Sequence, residues 1–216
     1  MPPLTHAAAL EFLRPHLTRL SVVVREGWNK YVEIRDTSPF LDKTARAAFV
    51  HDAMVFVARQ QFDGVAGVSI IPYEQSWMVA IDGVLFIRLK KFNPALRPDN
   101  ILTDLQLDML GQMTIAGYGP SPTYLVAGYT LNILETAIEG VHIVCPLEKV
   151  NKWTMTIGDD GSIAEVVEMR NIFDEEPSPV TFTPKLLPFP KVDENETGRA
   201  DNDSDHTDDD ETDPKS

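Results

Sequence analysis

Four cations lie close together in this chain: Arg88, Lys90, Lys91 and Arg97. Arg88 and Lys90 are two apart in an alternating segment, so on a strand they point the same way, beside Phe86. Such a row suits a nucleic-acid backbone or another anion. A plainer alternative is a solvated strand face, because charged strands guard against edge-to-edge aggregation. Gly128 and Tyr129 fall inside another apolar alternating run, and a strand glycine often marks a bulge or a close backbone approach. The candidate nucleic-acid or partner-binding residues are therefore Phe86, Arg88, Lys90, Lys91, Arg97 and Tyr129.

Other reactive side chains do not assemble into a catalytic set. His51 and Asp52 are neighbours in a helical segment, where adjacent residues lie about 100° apart, so they are not expected to share a face. His142 and Cys145 are three apart in a strand segment and are expected on opposite faces. Neither pair makes a nucleophile with its base. The histidines at 6, 16, 51, 142 and 206 show no metal-ligand spacing. Gly117-Tyr118-Gly119-Pro120 lacks the Gly-Lys-Ser/Thr ending of a phosphate loop. No catalytic residue, cofactor or metal is expected from these spacings, with Asp82 kept as a metal ligand only in a nuclease-like reading.

The elements that must position these groups follow from periodicity. Thr5 can cap a first helical segment that runs into Pro15, a natural first-turn residue of the next. Leu17, Leu20, Val24, Trp28, Tyr31 and Ile34 recur at helical spacing. Asp36-Thr37-Ser38-Pro39 breaks the pattern, and Asp42 can cap a further helix with Ala45, Phe49, Ala53 (or Asp52), Phe56 and Val57 inward. Alternation then predicts strands over 67–72, 77–81 and 84–92, with Asp82-Gly83 as a tight turn. In the third of these, Leu85, Ile87 and Leu89 share one face, and Phe86, Arg88 and Lys90 the other. A helix is expected over 100–113, a Gly/Pro loop over 117–122, and strands over 123–131, 141–145, 153–157 and 163–167, the last two joined by Asp159-Asp160-Gly161.

This is the pattern of an α+β fold: N-terminal helices packed on a mainly antiparallel sheet of about six to seven strands, with one inserted helix and then a disordered tail. The expected domain is 1–170, helical over 5–62 and sheet-rich over 66–170. Prolines at 177, 179, 184, 188 and 190 mark 171–192 as extended, and 193–216 is an acidic tail. That tail carries eleven acids against Arg199 and Lys215, so nine of the fourteen net negative charges sit in it. It is too poor in apolar side chains to offset its ordering entropy. Its charge is opposite to that of the Arg88–Arg97 cluster, which it could screen; a purely solubilising tail is the simpler expectation. One cysteine excludes an intrachain disulfide. The lack of a signal-peptide pattern and of an eighteen-residue apolar run leads to an expected cytoplasmic location with no membrane partner.

Two resemblances bear on function. The helix, three strands, helix, strand order from 42 to 131 resembles the core order of the PD-(D/E)xK nucleases, which implies a strand acid near Asp82 and a following acid-x-Lys that ends at Lys90, the acids holding a divalent metal through their oxygens and the set orienting the attacking water. The acid expected two residues before Lys90 is instead Arg88, a cation that would repel the metal. Separately, Ile87-Arg88-Leu89-Lys90-Lys91-Phe92, Gln106, Gln112, Tyr124-Leu125-Val126-Ala127-Gly128-Tyr129 and Val141-His142-Ile143-Val144-Cys145-Pro146 resemble an uncharacterised bacterial family of mobile elements and prophage-like loci. The likeness spans about residues 87–146. It implies a companion of a small helix-turn-helix regulator or zinc-peptidase-like protein in a toxin–antitoxin or phage-defence arrangement, and hands over no catalytic residue.

The expected function is thus partner binding within a toxin–antitoxin or phage-related module, by protein–protein interaction, with a protein encoded by a neighbouring gene as partner. The alternative is a nucleic-acid-binding or degenerate nuclease-like protein that uses the basic strand 84–92.

Overall fold

The computed structural model describes residues 2–35, 42–73, 76–98, 112 and 122–169. All of them belong to the first of two units into which the chain divides, Met1–Asp174 and Glu175–Ser216. The helix expected over 100–113 (Gln112 apart), the loop over 117–122 (Pro122 apart), and the Pro-rich and acidic segments after 170 lie outside the described residues.

The helices start where the capping side chains stand. The Thr5 hydroxyl accepts the Ala8 N–H at 3.3 Å and opens α1, His6–Leu13. Pro15 then sits in a single 3-10 turn, Arg14–His16, and α2 continues directly as Leu17–Arg35. Asp42 accepts the Ala45 N–H at 2.6 Å and opens α3, Lys43–Gln61. Leu17, Leu20, Val24 and Trp28 of α2 are buried, as their spacing predicts. For α3 the expected stripe needs correction. The buried residues are Val50, Ala53, Met54, Val55, Val57 and Ala58, while Ala45 is exposed and Phe56 is 53% exposed beneath the Lys30 ammonium. Ala53 and Val57 are buried as expected, and with residues 50, 54 and 58 they follow helical periodicity; Ala45 and Phe56 fall outside that stripe. No helix among the described residues is long and apolar enough to cross a membrane.

Among the described residues, seven strands form one sheet in sequence order: β1 Val68–Tyr73, β2 Ser76–Ile81, β3 Leu85–Lys91, β4 Thr123–Leu131, β5 Ile138–Leu147, β6 Val150–Ile157 and β7 Ile163–Glu168. Every neighbouring pair is antiparallel except β3 with β4. β5 and β6 run longer than their apolar centres indicate. Asp82 and Gly83 form the β2–β3 turn with φ of 51° and 65°, the left-handed pair that a two-residue hairpin needs, and Val84 N–H donates to Ile81 O at 2.9 Å.

Helices α1, α2 and α3 cover one face of the sheet. Leu85, Ile87 and Leu89 of β3, Leu125, Ala127 and Tyr129 of β4, and Val141, Ile143 and Cys145 of β5 meet Leu20, Val24, Trp28, Val50 and Met54 there. Burying each large side chain of this set contributes about 1.5–3 kcal/mol. The opposite face carries a second apolar cluster, Met78, Ala80, Phe86 and Tyr124, and a third, Phe92, Val126 and Val144. The chain is therefore α+β, with N-terminal helices on a mainly antiparallel sheet.

One buried polar side chain completes the ladder between β4 and β5. The register would place Tyr124 opposite Pro146, which has no N–H to give. Gln112 supplies what is missing. Its Nε2 donates to Tyr124 O at 3.0 Å and Pro146 O at 2.7 Å, and its Oε1 accepts the Tyr124 N–H at 2.8 Å. The amide acts as an inserted peptide group.

Candidate binding surfaces

The six candidate residues do not form one row. Phe86 is fully buried, its ring 6.2 Å from that of Tyr124, so it has no surface to offer a partner. Tyr129 is likewise buried, on the helix side, 5.7 Å from the Trp28 ring, and burial pushes its phenol well above the usual range. Lys91 leaves β3 on the face opposite to Arg88 and Lys90 and pairs with Glu135 at 3.0 Å. Arg97 is exposed on the loop after β3, where its N–H donates to Asn93 Oδ1 at 3.0 Å. Arg88 and Lys90 alone remain side by side, both half-buried.

Asp82 is far from them. It lies in the turn before β3, its N–H donating to Gly67 O at 2.7 Å, and roughly 16 Å of strand separates Leu85 from Lys90. The acid and lysine of a nuclease centre are not brought together. Among the described residues, no group of three His, Cys, Asp or Glu side chains is placed to hold a metal ion.

Arg88 and Lys90 line a pocket of about 300 Å³ with Thr44 and His51 of α3 and with Ser76 at the start of β2; Lys91 completes its rim. None of these residues is acidic. Burial, then the neighbouring Arg88 charge, pushes the Lys90 ammonium down to about 8. Burial also lowers Arg88 and His51. His51 Nδ1 lies 3.3 Å from Asp52 Oδ1, which corrects the expectation that the two side chains stay on separate faces: both bend across the angle between them.

On the other side of Lys91, Glu135 gathers three cations: Arg46 and Lys43 of α3 and Lys91 of β3, with Lys43 at 3.3 Å. The hydrogen bond from Arg46, followed by that from Lys91, holds its carboxyl down at about 2. Glu135 belongs to the β4–β5 loop, and that loop is internally bonded. Asn132 N–H donates to Ala137 O at 3.0 Å, Glu135 N–H to Asn132 O at 2.8 Å, and Thr136 N–H to Asn132 Oδ1 at 2.8 Å. The loop thus presents Ile133 and Leu134, 101% and 78% exposed, from a fixed frame.

Beside this loop runs a groove of about 670 Å³ on the face away from the helices. Its floor is Phe92, Thr130, His142, Thr156, Glu165 and Val167; Ile133 and Glu139 stand on one wall and Leu96 on the other. His142 is nearly buried between two hydroxyls, Thr130 Oγ1 at 3.1 Å and Thr156 Oγ1 at 3.0 Å, and burial lowers its pKa against Glu165 and Glu139. With both ring nitrogens engaged it is a fixed part of the floor. Cys145 faces the opposite core, as strand parity predicts, and burial pushes its thiol up to about 12, so no thiolate nucleophile is available.

The sequence reading passed over Ile133, Leu134 and Glu135. The available signal was an apolar pair flanked by turn-forming Asn132 and Thr136. Comparison with family models, curated proteins and solved structures finds no match.

Proposed function

We propose that the protein is a partner-binding component of a toxin–antitoxin or phage-related module, acting by protein–protein interaction without chemistry of its own. The observation that carries the binding role is the Ile133–Leu134 pair, held in water by a loop that three cations and its own internal hydrogen bonds fix in place. A loose loop would fold these side chains away; a braced one keeps them ready, and apolar surface beside a groove is the usual mark of a docking site. Glu139 and Glu165 add charge to the groove, so the partner segment is apolar with a basic side chain. The module setting rests on the resemblance over residues 87–146.

A protein partner fits better than a nucleic-acid backbone. Phosphate tracking needs a continuous stripe of cations, whereas Lys91 is held by Glu135 and Arg97 lies apart from Arg88 and Lys90. Co-expression with the product of the adjacent gene, followed by size-exclusion chromatography, tests the proposal. A shared peak that Ile133→Glu/Leu134→Glu splits supports it; two independent peaks for the wild type count against it.

A further inference from the structure

The two outer strands of the sheet are built differently. β1 carries Pro72, which has no N–H to give an added strand. β7 holds no proline and no lysine, and every residue from 163 to 169 is exposed. We infer that the outer edge of β7 is a strand-addition site, which takes an extended, basic segment of a partner protein as a further strand. This edge is a different element from the Ile133–Leu134 loop, and it stands whether or not that loop docks a partner.

The backbone supplies the first ground. Met169 N–H donates inward to Lys152 O at 2.9 Å. From there the antiparallel register runs unbroken through Glu168, Val167, Val166 and Glu165. Peptide groups alternate in direction along a strand, so residues 165, 167 and 169 bond to β6. The N–H and C=O of Val166 and Glu168 point away from it. Among the described residues no strand pairs with that side. An open row of donors and acceptors is a template for an extended chain.

The side chains agree. Val166 stands opposite the core residue Met155 and is still 37% exposed, and Val167, on the groove side, is 53% exposed. A strand laid alongside β7 covers apolar surface on both faces of the sheet.

Charge selects the occupant. Residues 158–169 contain Asp159, Asp160, Glu165 and Glu168 and no lysine or arginine. Arg25 pairs with Asp159, and His6 lies 3.7 Å from Glu168. Glu165 has no ion pair among the described residues. A lysine or arginine directly across from it is favourable, and a like charge is not. A second copy would bring the same glutamates and a net charge of −14 to the edge, so a basic segment of another protein fits better.

The test is amide hydrogen exchange of the full chain, read at Val166 and Glu168, with a capped peptide of β7's length in which lysine and valine alternate. At about ten times its Kd the peptide is expected to slow both amides roughly tenfold. The amides of Glu165 and Val167, already bonded to β6, are expected to change little. The same peptide with a methylated backbone, and one with glutamate in place of lysine, are expected to leave all four unchanged. Glu165→Lys is expected to invert the preference between the lysine and glutamate peptides. Unchanged exchange with the lysine peptide, equal protection by the methylated one, or indifference to Glu165→Lys would overturn the assignment. So would amides already slow in the free chain together with a dimer mass by light scattering, which assigns the edge to a second copy. Should Glu165→Lys fail to fold, the three peptides on the wild type decide.

Discussion

The main-chain oxygen of Lys90 occupies the place where a Cβ on Gly128 would stand. The two residues are partners in the parallel β3–β4 ladder, and the Phe92 ring closes the same space at 3.2 Å. Lys90 keeps its position in the sheet because its neighbour has no side chain. Backbone cannot yield as a flexible side chain can, so Gly128→Ala must push β3 and β4 apart. We expect a loss of about 3 kcal/mol, at the upper end of the overpacking range, measured by urea unfolding. Gly83→Ala is the control. Gly83 has open space around it and a φ of +65°, so only left-handed strain applies, about 1 kcal/mol.

Gln112 predicts a second loss. Gln112→Leu keeps the volume but removes the three hydrogen bonds that Gln112 makes to the Tyr124 N–H, the Tyr124 O and the Pro146 O. The expected cost is about 2–4 kcal/mol by thermal unfolding. A cost near zero would mean that water replaces the amide.

Glu135 predicts a pH window. Its folded pKa, about 2, lies below the ordinary 4.5, so its stabilising effect is complete above pH 4.5 and is lost as pH falls toward 2. Glu135→Gln is expected to cost about 1–3 kcal/mol at neutral pH, between the ranges for exposed and buried pairs. In the same variant, the fall in stability between pH 4.5 and 2 becomes shallower. Urea midpoints across that range measure both effects.

Lys90 predicts the opposite trade. Its folded pKa of about 8 lies below the ordinary 10.5, so the unfolded chain holds this proton more tightly. Its contribution to stability therefore rises with pH between about 8 and 10.5. Lys90→Met is expected to stabilise the fold by about 1 kcal/mol at pH 7 and to lose that advantage above pH 10.5, by chemical denaturation.

Particular residues show what was legible in the sequence. Thr5, Asp42 and Asp82-Gly83 carry local signals, because a cap or a tight turn involves only its near neighbours. The alternation Leu85, Ile87, Leu89 against Phe86, Arg88, Lys90 was equally plain. Alternation assigns a residue to a face, however, and does not say whether that face is covered. Alternation alone therefore leaves Phe86 and Tyr129 as candidates for a surface, and both are buried. Glu135 was invisible for a related reason: its partners Arg46 and Lys91 are 89 and 44 residues away, and only the packed fold brings them together. In α3 aromatic bulk is a poor guide to the covered face: Phe56 is 53% exposed, while the smaller Val50, Ala53, Val57 and Ala58 are buried.

The partner-docking role of the braced loop is tested most directly by size-exclusion chromatography with light scattering on the chain co-expressed with the product of its neighbouring gene. Ile133 and Leu134 are exposed, so Ile133→Glu/Leu134→Glu should leave the unfolding midpoint unchanged while dissolving the complex. The account predicts one co-eluting species for the wild type and two separate species for the variant. Separate species for the wild type, or a complex indifferent to both substitutions, would contradict it.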